Sequence, residues 1–271
     1  MIPLGICLGT MGARYGELLE AARLLDALGY ESLWLWDHYV SWRDPREPVV
    51  EGLTALAGLA QATERIRLGP LVANNTNRHP GRLAKIAVTL QEIAGGRLEL
   101  GIGGGGWEYE QAIFGLDQGT RAERTARLAE ALQIIPLLWS GEPVTFHGEH
   151  YRLDGAIVAP PPTPRPPIIV GAHGAQLCRL AGRYADGLNL HWRDRQRLPQ
   201  QLAALDAGLA ERGRDRRGFD LSVLAAWRDL AHDPAAALDA WAALGFTRAI
   251  AYVTPPFPTD ELAAVAEQLR R

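Results

Sequence analysis

Residues 67–107 read RLGPLVANNTNRHPGRLAKIAVTLQEIAGGRLELGIGGGGW and hold the fold in miniature. The apolar run Arg67–Val72 reads as a strand. A polar loop follows, and Pro80 falls where a helix best accepts proline, at its first position. Residues Pro80–Ala94 carry helical periodicity and stop at Gly95, after which Leu98–Ile102 is a second apolar run. Strand, helix and strand in so short a span make a βαβ unit, whose strands lie parallel.

Outward from this unit the same pattern repeats. Strands are predicted at Pro3–Leu8, Ser32–Trp36, Ile168–Val170, Gly187–Leu190, Leu221–Trp227 and Ala249–Val253 as well. Helices are predicted at Gly16–Leu28, Glu51–Ala62, Arg121–Trp139, Ala175–Tyr184, Leu198–Arg212, Pro234–Leu244 and Thr259–Leu269. In the first helix Leu18, Leu19, Ala22, Leu25, Ala27 and Leu28 form a stripe that can cover a sheet, and Gly29 sits at its C-terminal stop. About eight βα units favour a closed (β/α)8 TIM barrel over an open doubly wound sheet. The alternation breaks at Gly141–Pro167, GEPVTFHGEHYRLDGAIVAPPPTPRPP, which reads as a β-hairpin and proline-rich insertion between the fourth and fifth units. It is too short for a core of its own, so residues 1–271 are expected to form one domain.

Charge is nearly balanced, at net -3, so no global field draws the chain to nucleic acid or an anionic membrane, and a small molecule is the expected partner. Cys7 and Cys178 show no paired spacing, which fits a reducing compartment. No secretory leader or spanning segment is legible, and the expected location is the cytoplasm.

In a barrel, chemistry sits just after the strands. SLWLWDHYVSW ends a strand with Asp37 and His38, an acid and an imidazole suited to proton transfer, close to Trp42. The plainer alternative is a strand end capped by Asp37. Asn74 follows the third strand. Gly103, Gly104, Gly105 and Gly106 follow the fourth, either as a tight turn or as backbone that a planar ring can approach. Gly171, Ala172, His173 and Gly174 lie between a strand and a helix, where free N–H groups can hold a phosphate, although an ordinary turn has the same composition. His79 is either a loop brace or a cofactor contact. His147 and His150 point to opposite faces of a strand and lack a third ligand, so no metal is expected.

Together these segments resemble the luciferase-like monooxygenase superfamily and, within it, the oxidoreductases that depend on the deazaflavin coenzyme F420. The carriers are GYESLWLWDHYV, the run LGPLVANNTNRHPGRLAKIAVTLQEIAGGRLELGIGGGGWEYEQAIFG, FHGEHYRL and PPIIVGAHGAQLCRLAGRYADGLN, in order along nearly the whole chain. The resemblance implies a ring lying across the strand ends near Asp37, His38, Asn74 and Gly103–Gly106, with its phosphate at Gly171–Gly174. It also implies a cis peptide under the ring at Leu71 and Val72. Hydride transfer to or from a small organic substrate follows, with His38 moving a proton, Asp37 fixing its tautomer and Trp42 walling the substrate side. Arg78, Arg179, Arg183 and Arg193 are the cations available to a polyglutamyl tail. Gly106 stands where some sugar-phosphate dehydrogenases of this class carry a catalytic Glu.

Two alternatives keep the barrel: an FMN-dependent monooxygenase, and a flavin-binding barrel without turnover. A metal-dependent barrel hydrolase would need more His and Asp at successive strand ends. Relatives often form homodimers, which the apolar flank helices allow. The loops Tyr39–Pro48, Trp107–Gly119 and Arg193–Pro199 shape the pocket without naming a substrate.

Overall fold

The computed structural model describes residues 1–270. In chain order its elements are β1 (Leu4–Leu8), α1 (Tyr15–Leu28), β2 (Ser32–Leu35), α2 (Gly52–Gln61), β3 (Arg67–Pro70), β4 (Ala73–Asn74), α3 (Pro80–Ile93), β5 (Leu100–Gly103), α4 (Glu108–Ile113) and α5 (Arg121–Leu138). There follow β6 (Val144–His147), β7 (Arg152–Ala156), β8 (Ile168–Ala172), α6 (Ala175–Tyr184), β9 (Gly187–His191), α7 (Leu198–Ala210), β10 (Asp220–Ala226), α8 (Pro234–Ala243), β11 (Arg248–Val253) and α9 (Thr259–Arg270).

The main sheet runs β3-β2-β1-β11-β10-β9-β8-β5-β4, and its pairings are parallel. Its two end segments, β3 and β4, are one strand interrupted at Leu71–Val72, where the peptide bond is cis. Both segments lean on the chain at 97–103. The Leu68 N–H donates to the Arg97 carbonyl at 3.1 Å, and the Glu99 N–H donates to the Leu68 carbonyl at 2.9 Å. The sheet therefore closes into a barrel. Glycine permits that seam: a Cβ at Gly69 or Gly101 would run into the backbone oxygen of Glu99 or Pro70.

Strands buried on both faces read as unbroken apolar runs, and LGICL in β1 is buried throughout. One core joins strands and helices through Leu8, Leu33, Leu56, Leu100, Leu128 and Val223. Helix starts are locally encoded. Thr120 and Glu123 close a capping box on α5, and Pro80 and Pro234 open α3 and α8. Strands β6 and β7 form an antiparallel hairpin between α5 and β8. The proline-rich chain after it is tied to α3, where the Gln91 side chain donates to the Pro164 carbonyl at 2.6 Å. No helix of the described residues is long and apolar enough to cross a membrane.

The strand N-termini close the barrel floor with charge. Buried Arg248 donates to Glu99 at 2.7 Å and also reaches Asp220 and Glu31, while Arg67 pairs with Glu99 at 2.6 Å and with Glu31. The Trp34 ring lies 5.3 Å from the Arg248 guanidinium.

Candidate active site at the barrel mouth

At the opposite end the strand C-termini open into a cleft of about 610 Å³, a size typical of small-molecule sites. Its floor is the cis step. The Val72 side chain occupies the space that side chains at two neighbouring glycines would need: a Cβ on Gly103 would lie 2.5 Å from Val72 Cγ2, and one on Gly171 2.7 Å from Val72 Cγ1. Gly103 and Gly171 are thus explained by Val72 packing. Gly105 answers to another constraint, a left-handed backbone at φ +75° whose Cβ position faces Asn74 Oδ1 at 2.5 Å. A Cβ at Gly104 would make ordinary contacts, 3.9 Å to the Arg124 carbonyl oxygen and 4.0 Å to Leu128, and of Gly103–Gly106 only Gly106 faces open space.

On one wall the β2 exit presents His38. Its Nδ1 lies 3.3 Å from Glu110 Oε2, and the Glu110 carboxylate is almost wholly enclosed. Glu110 Oε1 accepts the Tyr39 N–H at 2.6 Å and the Val40 N–H at 3.3 Å. Burial works against ionising Glu110, but the bonds from His38 and the two amides outweigh it and hold the carboxyl below its ordinary value. An ionised Glu110 can only accept, so it selects the tautomer with hydrogen on Nδ1 and leaves Nε2 as the working nitrogen. The rings of Trp42 and Trp107 stand edge-on to the imidazole, each 5.6 Å away.

Asp37 has a different job from the one expected of it. Its carboxylate is buried, accepts both Arg78 nitrogens at 2.5 and 2.8 Å, and accepts the Asn74 N–H at 2.8 Å. Arg78 continues to Glu51, the N-cap of α2, at 2.5 Å. The pair staples the end of β2 to the chain after the cis step, and the group that orients His38 is Glu110. Sequence reading missed Glu110 because it placed 107–119 in a loop. The short helix α4 turns Glu110 inward, and a run of Glu, Gln and apolar residues with Glu at its first turn was the available signal.

The far wall is built by β8 and β9. The Gly174 N-cap of α6 offers no side chain to the first-turn amides, which remain free to bind an anion. An Arg121 nitrogen lies 3.1 Å from where a Gly174 Cβ would stand. The Arg121 guanidinium makes no hydrogen bond or ion pair with any described residue. His173 Nδ1 lies 2.7 Å from Asp194, and the ring of His191 stacks 6.1 Å from that of His173. Burial first, then Arg193 and His173, push His191 down to about 4, so it is neutral at physiological pH.

The cleft thus gathers Asp37, His38, Trp42, Leu71, Val72, Asn74, Gly103–Gly106, Gly171, Ala172 and His173. Gly174 stands behind this lining as a helix cap. His79 is outside it: its ring caps α3 by accepting the Gly81 N–H at 3.1 Å and packs against Tyr151. Of the four arginines considered for a tail, Arg78 is held by Asp37 and Glu51, Arg179 and Arg183 are held by Glu211, and Arg193 lines the cleft.

Residues 4–269 match the model of the luciferase-like monooxygenase family. The chain belongs to that family. It is 35% identical over 224 residues to the F420-dependent glucose-6-phosphate dehydrogenase of Microbacterium testaceum, across 81% of this chain and 66% of that enzyme. It is 34% identical over 213 residues to the F420-dependent hydroxymycolic acid dehydrogenase of Mycobacterium tuberculosis, across 78% of this chain and 59% of that enzyme. The chain therefore spans less than two thirds of the length of either relative. The solved structure of an F420-dependent secondary alcohol dehydrogenase in complex with an F420-acetone adduct shares the fold. Its TM-score is 0.86 at 18% identity, with 100% of this chain and 99% of that one covered.

Proposed function

We propose that this protein is a cytoplasmic oxidoreductase that uses coenzyme F420 to move a hydride to or from a small organic substrate. The observation that carries the reading is the polarity of the cleft: an oriented imidazole at one wall and an uncommitted anion site at the other, separated by the Val72 step. The first-turn amides of α6 with Arg121 suit a phosphate, and the relatives named above support a deazaflavin as its bearer. When bound, the deazaflavin supplies a hydride acceptor or donor at its C5. Val72 and Leu71 would cradle the ring, and Gly106 leaves room beside it. His38 takes a proton from an alcohol oxygen, or returns one to a carbonyl oxygen, through Nε2, while Glu110 stabilises the imidazolium that forms. Trp36, Trp42 and Trp107 give that wall an apolar lining.

The reading is tested by mixing the protein anaerobically with oxidised F420 and panels of alcohols, and with reduced F420 and panels of ketones, enones and imines. Bleaching or recovery of the deazaflavin's visible band is expected. Oxygen uptake with reduced FMN, and none of these changes, would overturn it in favour of a monooxygenase.

A further inference from the structure

The His38 wall continues outward as an apolar surface. Trp42 is 55% exposed, Tyr109 47%, Ile113 49% and Phe114 52%, although each is a large hydrophobic side chain. They form one patch. Trp107 links Trp42 at 6.2 Å to Tyr109 at 5.8 Å, and Phe114 packs on Tyr39 at 5.4 Å. Helix α4 explains the arrangement: Glu110 and Gln111 point into the protein, while Tyr109 and Ile113, four residues apart, share the outer face. Contiguous exposed apolar surface of this kind marks a binding site.

Charge at this wall is spent. Glu110 is saturated by His38 and two amides, and Asp37 by Arg78 and the Asn74 N–H. Of the residues lining the cleft only Arg193 carries a fixed positive charge, and it stands at the far wall beside His191. Arg78 is committed to Asp37 and Glu51, and Arg43, next to Trp42, to Glu47 and the Met11 carbonyl, so a phosphorylated substrate would meet no uncommitted cleft-lining cation on the His38 wall.

We infer that the substrate is an apolar alcohol or its ketone, whose carbinol carbon sits at His38 and whose hydrocarbon or aromatic portion runs out over Trp107, Tyr109 and Phe114. This rests on the F420 reading above. In the oxidation direction the carbinol C–H bond breaks with its electron pair passing to the deazaflavin, the O–H proton passes to His38, and the carbon becomes a carbonyl. Continuity of the patch with the cleft commits it to the substrate's own tail.

The test uses the full chain and a ladder of methyl ketones and their alcohols of increasing length. Binding is read first, without cofactor, from tryptophan fluorescence. Affinity should rise roughly fourfold per added methylene until the patch is covered. The same ladder with F420 should raise kcat/KM in parallel, with a hexose phosphate turned over at least ~100-fold less efficiently. The exposed substitutions Tyr109→Ser and Phe114→Ser together should flatten the length dependence while deazaflavin binding is kept. A flat ladder in the parent protein, or a hexose phosphate preferred over the long ketones, overturns this inference and leaves the F420 reading standing. A variant that turns a dimer into a monomer yet keeps the length dependence also overturns it, by assigning the patch to a second copy. Failure to bind F420 at all removes both.

Discussion

The two ends of the barrel spend charge in opposite ways. At the floor Arg248, Arg67, Glu31, Glu99 and Asp220 satisfy one another, and Arg248 and Glu99 are almost wholly enclosed. At the mouth, pairs brace loops or orient an imidazole, as with Asp37 and Arg78 or Glu110 and His38, while His38 Nε2, Arg121 and the first-turn amides of α6 stay available. The same strands supply both ends, so the difference lies in which residues stand at their N- and C-termini. A barrel can therefore place stability below and chemistry above.

If that division holds, lesions at each end have separable readouts. The largest effect is expected from His38→Asn, which should lower kcat by roughly 100- to 10,000-fold in single-turnover measurements and leave F420 affinity nearly unchanged. Comparable loss of affinity would show that His38 binds the cofactor instead of serving proton transfer. At the floor, Arg248→Met leaves Asp220 without its cation and Glu99 with Arg67 alone, and should cost about 3–5 kcal/mol of stability in denaturant titration. The folded fraction should still bind F420 as the parent does. If it does not, the two ends are coupled.

Smaller effects follow at the mouth. Arg121→Gln should weaken F420 binding about tenfold, the scale of one charge-assisted hydrogen bond, and the loss should be read by fluorescence titration. An unaltered affinity would place the phosphate elsewhere. Smallest is Glu110→Gln, expected to cost about 1 kcal/mol at neutral pH. Glu110 is held below its ordinary value of 4.5, so its ionised form contributes stability above that value and loses it as pH falls through the lower folded value. Parent and variant should therefore converge in stability on acidification. A gap that widens toward acid would contradict the assignment.

The barrel was legible because its signals are local and repeated. Apolar runs, Gly29 and Gly95 after helices, and Pro80 at a helix start each report their own few residues. The split of the third strand at Leu71–Val72 was not visible in its periodicity and came from resemblance alone. Site residues that follow strands directly, such as His38, Asn74 and Gly171, were placed by topology, since a strand's C-terminal end opens on the mouth. Their partners were not. Which carboxylate meets His38 depends on where a helix 72 residues along the chain turns its face, and the adjacent Asp37 was the nearer candidate in sequence. His79 stayed open between a brace and a cofactor contact for the same reason: its ring serves the helix it precedes, an N-cap role that His–Pro spacing does not distinguish from a cofactor contact.

The decisive measurement is a titration of the purified protein with oxidised F420 and, separately, FMN, followed by quenching of their fluorescence. Tight saturable binding of F420 with FMN bound weakly or not at all is the predicted result. Preference for FMN, or binding of neither, would contradict a deazaflavin enzyme at this mouth.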